Sequence, residues 1–148
     1  MSARSGNDPP IDIGPSLGTE SRARTHRFTI YIPDRDRENR PVDDVDVWID
    51  RGMMLLTELN GGCTRLPNTS GHWLSEQGEI VKENTALIYS FFWDMAAFER
   101  QLPRVREFLH RFGRETNQSE VMVELSGEDD EGLYSRAYHV PRSAWDQG

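Results

Sequence analysis

The stretch that decides the fold is "TALIYSFFWDMAAFERQLPRVREFLHRFGRETNQSEVMVEL", Thr85 to Leu125. Thr85 to Phe92 is the most apolar run of the chain and reads as a central strand. Asp94 then offers a carboxylate to the free N–H groups of a helix start. Met95, Phe98, Leu102, Val105, Leu109 and Phe112 recur at helical spacing on one face. Pro103 has no N–H to donate, so the pattern predicts a kink or two abutting segments there. Gly113 is the expected helix stop, and "EVMVEL" opens another strand. The stretch is therefore one strand-helix-strand unit.

A second such unit precedes it. "HRFTIYIP", His26 to Pro33, alternates and is rich in aromatic and β-branched residues, as a strand is. "DRDRENRP" is a polar connection, and a helix starts near Asp43 or Asp44, either of which can cap it. Val45, Trp48, Ile49, Met53, Leu56 and Leu59 share a face, and "NGG" at Asn60 to Gly62 stops the helix. A strand from Cys63, interrupted by Pro67 and Asn68, leads into a hairpin turning at Gln77-Gly78. "EVMVELSG" and "GLYSRAYHV" form a closing hairpin across "EDDE", ended by Pro141. The order β-α-β-β-α-β plus one C-terminal strand predicts a ferredoxin-like α+β sandwich. Both helices cover one face of a mainly antiparallel sheet. Residues 26–141 form the single domain, 1–25 a flexible arm and 142–148 a tail.

That topology gives "GRETNQ", Gly113 to Gln118, polar neighbours. It returns beside "PDRD", so Arg114 and Gln118 face Asp34, Asp36 and Glu83. Two readings stand. One is an end-cap network in which Arg114 pairs with Asp34 or Glu115 and Gln118 bonds loop backbone. The other is a ligand-binding pocket of Asp34, Asp36, Glu83, Arg114, Glu115 and Gln118. There Arg114 clamps an anion while a carboxylate serves as general base.

Composition narrows the function classes. Among 148 residues, 17 basic and 25 acidic side chains give a net charge of −8, which disfavours nucleic acid and anionic lipid as partners. Arg100, Arg104, Arg106, Arg111 and Arg114 leave one local basic face. No apolar run is long enough for a secretory signal or a membrane span, so cytoplasm is the expected location. Cys63 is the only cysteine and reads as a small core residue before a nucleophile. His26, His72, His110 and His139 lie on separate segments without metal-ligand spacing, so neither a metal nor a cofactor is expected. No nucleophile elbow, P-loop or dinucleotide fingerprint is present, which leaves no assigned catalytic residue. Asp34 and Asp36 raise a metal-dependent nuclease as a minor variant, against the competing charges of Arg35, Arg37 and Arg40. Trp93 and Trp145 are candidates for an exposed interface.

The segments "YIPDRDRENRPVDD", "LTELNGGCTRLPNTSGHWLSEQGEIVKENTALIYSF" and "FLHRFGRETNQSEVMVEL" resemble a group of small bacterial proteins of unassigned function. Its marks are a Tyr-Ile-Pro strand end, a Gly-Gly-x-Thr turn, a Gly-x-Trp element and a Gly-Arg-Glu-x-x-Gln loop. More distantly the chain is similar to a secreted-lipoprotein family of unknown function. Gly62, Thr64, Gly71, Trp73, Glu83, Gly113, Arg114, Glu115 and Gln118 carry the likeness, and Ser119 stands where the first group has glycine. The resemblance implies no reaction. The expected function is a non-catalytic protein-interaction module, with a protein partner or a homodimer. The alternative is a small enzyme or anionic-ligand binder using the polar end.

Overall fold

The computed structural model describes residues 12–146. Residues 1–11 of the expected arm and 147–148 of the expected tail lie outside them. The elements in order are α1 (Gly14–Leu17), β1 (His26–Pro33), α2 (Val45–Asn60), β2 (Thr64–Leu74), β3 (Ile80–Phe92), α3 (Met95–Arg100), α4 (Leu102–Glu115), β4 (Glu120–Asp129), β5 (Gly132–Pro141) and a 3₁₀ turn, Arg142–Ala144. The sheet order is β2-β3-β1-β4-β5 and every pairing is antiparallel. This is the ferredoxin-like sandwich with β5 added at one edge. Alternation divides the strands between two faces. Phe28, Ile30 and Ile32 of β1, Ala86 and Ile88 of β3, and Val121 and Val123 of β4 are buried against the helices. The other face carries Tyr31, Leu87, Tyr89, Met122 and Glu124, and among the described residues no helix covers it. The central position belongs to β1, with β3 beside it as an interior strand.

The helices follow their apolar spacing, including the two abutting segments expected around Pro103, with two corrections. Asp44 precedes α2 in a left-handed conformation, φ 56°, and its carboxylate caps nothing. Asp94 does cap, accepting from the Ala97 N–H at 3.0 Å. The break lies at Gln101, one residue before Leu102-Pro103 start α4, because proline is well suited to a first helical turn. Gly113 does not end α4, which runs on to Glu115. A Cβ on Gly113 would stand 2.6 Å from the Trp145 indole, so glycine is there to admit the ring. Trp145 is therefore core, 5% exposed, and offers no surface for a partner. Trp93 does stay exposed, with the Arg24 guanidinium 4.7 Å above its ring. Among the described residues no helix is long and apolar enough to cross a membrane.

Candidate functional site

The sheet opens at the end where β1 finishes. Pairing between β1 and β3 runs to Pro33↔Thr85, whereas pairing between β1 and β4 stops at Ile30↔Val123. Beyond Asn84, whose backbone still bonds Asp34, the outer half of the β2–β3 hairpin pairs only with itself, from Gly71↔Glu83 to Leu74↔Ile80. Two hairpins thus flare past the end of the central strand with no strand between them. The gap is a cleft of about 320 Å³, near the small end of ligand sites. Tyr31 and Pro33 form its floor. Gly71, Trp73 and Glu83 line one wall, and Glu120, Met122 and His139 the other, with Arg37 and Gln118 also on its lining.

Glu83 is, with Glu120, one of two carboxylates on this cleft. Its Oε2 accepts from the Trp73 indole N–H at 3.2 Å. Burial pushes its carboxyl above the usual range, and the Asp34 charge adds to that, while hydrogen bonds from Trp73 and Thr85 oppose it. Across the cleft, His139 Nδ1 lies 3.0 Å from Glu120 Oε1. The Tyr31 hydroxyl donates to Glu124 at 3.1 Å. Burial raises the phenol, as do that hydrogen bond and the Glu124 charge, so Tyr31 remains a neutral ring at neutral pH.

Beside the cleft the chain builds a different arrangement from Asp34 to Pro41. Asp36 is 8% exposed and its carboxylate accepts from the Glu38 and Arg40 N–H groups at 2.8 and 2.9 Å, from Arg40 Nε at 3.3 Å and from the Asn117 amide at 3.5 Å. Burial alone would raise its carboxyl. The N–H donors, the Asn117 amide and the Arg40 charge together hold it below the usual range. Gln118 is also buried, and its amide donates to the Arg35 carbonyl at 3.1 Å and the Thr116 hydroxyl at 3.2 Å. Arg37 N–H closes the join by donating to the Asn117 carbonyl at 3.0 Å.

The loops at 34–40 and 116–118 therefore do meet, but not through Arg114. That side chain donates from Nε to the Trp145 carbonyl at 3.2 Å and shares the outer ridge of α4 with Arg106, His110 and Arg111. Glu115 pairs with Arg111 at 3.2 Å, an exposed pair one helical turn apart. Asp34 accepts from the Asn84 N–H at 3.1 Å and donates its own N–H to the Asn84 carbonyl at 2.9 Å. Of the six residues read from the sequence, Glu83 and Gln118 line the cleft, and Asp34 acts on Glu83 through its charge. Asp36, Arg114 and Glu115 are engaged elsewhere. The carboxylates of the nuclease variant, Asp34 and Asp36, serve different backbone segments. Among the described residues no three His, Cys, Asp or Glu side chains are placed to hold a metal ion. Sequence reading missed Tyr31, Arg37, Trp73, Glu120 and His139. Counting outward from the Gly78 turn pairs Gly71 with Glu83 and Trp73 with Val81, which already sets Trp73 diagonally beside Glu83.

No family model matches the chain, and no curated protein matches it. Two solved structures share its architecture. A phage SAM lyase in complex with S-methyl-5'-thioadenosine superposes with a TM-score of 0.57 at 14% identity, over 82% of this chain and 95% of that one. A phage SAM lyase in the apo state gives 0.55 at 15% identity, over 80% and 90%. At such identity the likeness establishes the fold. It also corrects the expectation of a non-catalytic interaction module, because the solved chains that follow this one over most of its length belong to an enzyme.

Proposed function

We propose that the chain is a small-ligand enzyme acting on an adenosyl sulfonium compound of the S-adenosylmethionine type, bound in the cleft beyond β1. The carrying observation is the half-buried Glu83, set between the Trp73 indole and the cleft in a gap that both flaring hairpins leave open. The fold likeness to a SAM lyase holding S-methyl-5'-thioadenosine supports the choice of ligand. Chemistry supports it too. A sulfonium carries a positive charge that is soft and poorly hydrated. Carboxylates and the faces of aromatic rings attract such a cation where water is partly excluded. Cleaving one of its carbon–sulfur bonds, with a proton leaving the neighbouring carbon, a carbon–carbon double bond forming and the electron pair staying on sulfur, leaves a neutral thioether. The attraction to Glu83 and Glu120 is then lost, so the site favours substrate over thioether product. The ionised Glu83 carboxylate can also accept the proton that leaves.

Two measurements test the reading. Titration of the purified chain with S-adenosylmethionine should give saturable heat and raise the melting temperature by roughly 5–10 °C at about 100 Kd. Incubation should release a thioether such as S-methyl-5'-thioadenosine, seen by chromatography. Failure to bind or turn over the compound at millimolar concentration would remove the reading.

A further inference from the structure

Resting on that reading, we propose that Arg37 is the specificity residue of the cleft, recognising a free carboxylate on the ligand. The substrate class is thereby narrowed to adenosyl compounds that still carry their amino-acid arm.

Three arginines sit in the short turn after β1, and two are engaged. Arg35 donates from Nη1 to the Asn39 carbonyl at 3.4 Å, and Arg40 pairs with Asp36 at 3.3 Å and Glu38 at 2.8 Å. The third, Arg37, is half-buried on the cleft lining. Among the described residues its guanidinium makes no hydrogen bond or ion pair. Its backbone, by contrast, is fixed on both sides. The neighbouring Asp36 gathers the N–H groups of Glu38 and Arg40, Asp36 N–H donates to the Arg40 carbonyl at 2.8 Å, and Arg37 N–H donates to Asn117. A cation on a rigid turn, without an internal partner, is preorganised for an anion from outside. Its forked donors suit a carboxylate in bidentate geometry.

Glu83 and Arg37 then give the cleft two poles of opposite charge. A ligand answering both is a cation that also carries an anion, which is the charge pattern of a sulfonium amino acid. A truncated nucleoside thioether answers neither pole.

The test uses two neutral thioethers, so that sulfonium charge does not enter. S-adenosylhomocysteine keeps the amino-acid arm and S-methyl-5'-thioadenosine lacks it. The intact chain should bind the first roughly tenfold to a hundredfold more tightly. Arg37→Met should bring the two affinities within about twofold while leaving that for S-methyl-5'-thioadenosine unchanged, and Arg37→Lys should restore part of the preference. The melting temperature should not move, since the guanidinium supports nothing in the fold. Absence of any preference in the intact chain overturns the assignment, as does a preference that survives in Arg37→Met. So does an equal weakening of both compounds, or a fall in melting temperature in both variants. Should neither thioether nor S-adenosylmethionine bind the intact chain, the ligand class itself is wrong and the role of Arg37 goes with it. Binding without preference removes only Arg37.

Discussion

Asp36 and Glu83 stand at the same end of the sheet, yet the fold treats them in opposite ways. Asp36 collects two backbone N–H groups, a guanidinium and an amide, and its carboxyl is driven down. Glu83 has an indole N–H and the Thr85 hydroxyl against burial and a like charge, and its carboxyl is driven up. A carboxylate with every lone pair engaged is a strut, because any ligand must first break what it already has. One held short of satisfaction in a concave gap has something to gain from a cation. Density of polar groups therefore marks structure here, and sparseness beside a cleft marks the site.

The largest expected effect falls on the strut. Asp36→Ala leaves two part-buried N–H groups without their acceptor and should lower the unfolding free energy by about 2–3 kcal/mol, read by urea denaturation. Because the folded carboxyl lies below its unfolded value near 3.9, its contribution is present above that pH and is lost as the pH falls through the folded value. The variant should accordingly lose part of the acid slope below pH 4. Wild-type stability with an unchanged slope would show that the turn holds itself without Asp36. Next in size is Gly113→Ala, at about 1–2 kcal/mol, because the new methyl meets a rigid indole and the overpacking outweighs roughly 1 kcal/mol of helix propensity. A fluorescence change from Trp145 should accompany it. A variant more stable than the parent would mean that the ring is not seated against α4.

The fold was legible because its evidence is periodic. Apolar spacing over Trp48 to Leu59 and Phe98 to Phe112, and alternation from Phe28 to Ile32, each repeat often enough to fix an element and its inward face. The site was less legible because it depends on where ladders stop. Nothing in "YIPDRD" says that β1 keeps β3 to Pro33 but leaves β4 at Ile30. That difference of three residues opens the cleft. Arg114 went astray for a related reason. Reading Gly113 as a helix stop released Arg114 into a loop, whereas the helix continues and commits it to the Trp145 carbonyl. Glycine signals a turn or a close approach with equal force, and only the partner, here an indole 32 residues away in sequence, tells which.

Glu83→Gln sharpens the contrast with Asp36 most directly, although its effect on stability is small. The amide keeps the shape and can still accept from Trp73, but carries no charge. Since the folded carboxyl lies above its unfolded value near 4.3, whatever Glu83 contributes is fully present below that pH and is lost as the pH rises through the folded value. Once ionised the group is a liability, so above the folded value the glutamine variant should equal or exceed wild-type stability by less than about 1 kcal/mol, with no gain at pH 4. Its affinity for S-adenosylmethionine should nevertheless fall about tenfold, and wild-type affinity should fall as acid protonates Glu83. Stability and binding would then move in opposite directions at Glu83, while at Asp36 a loss of stability would come first. Trp73→Phe carries the smallest effect, about 0.5–1 kcal/mol. Removing the indole donor takes away a hydrogen bond that favours the ionised form, so the pH at which binding fades should move upward. A midpoint that stays in place would show that burial alone sets the charge of Glu83 and that the indole serves the ligand rather than the carboxylate.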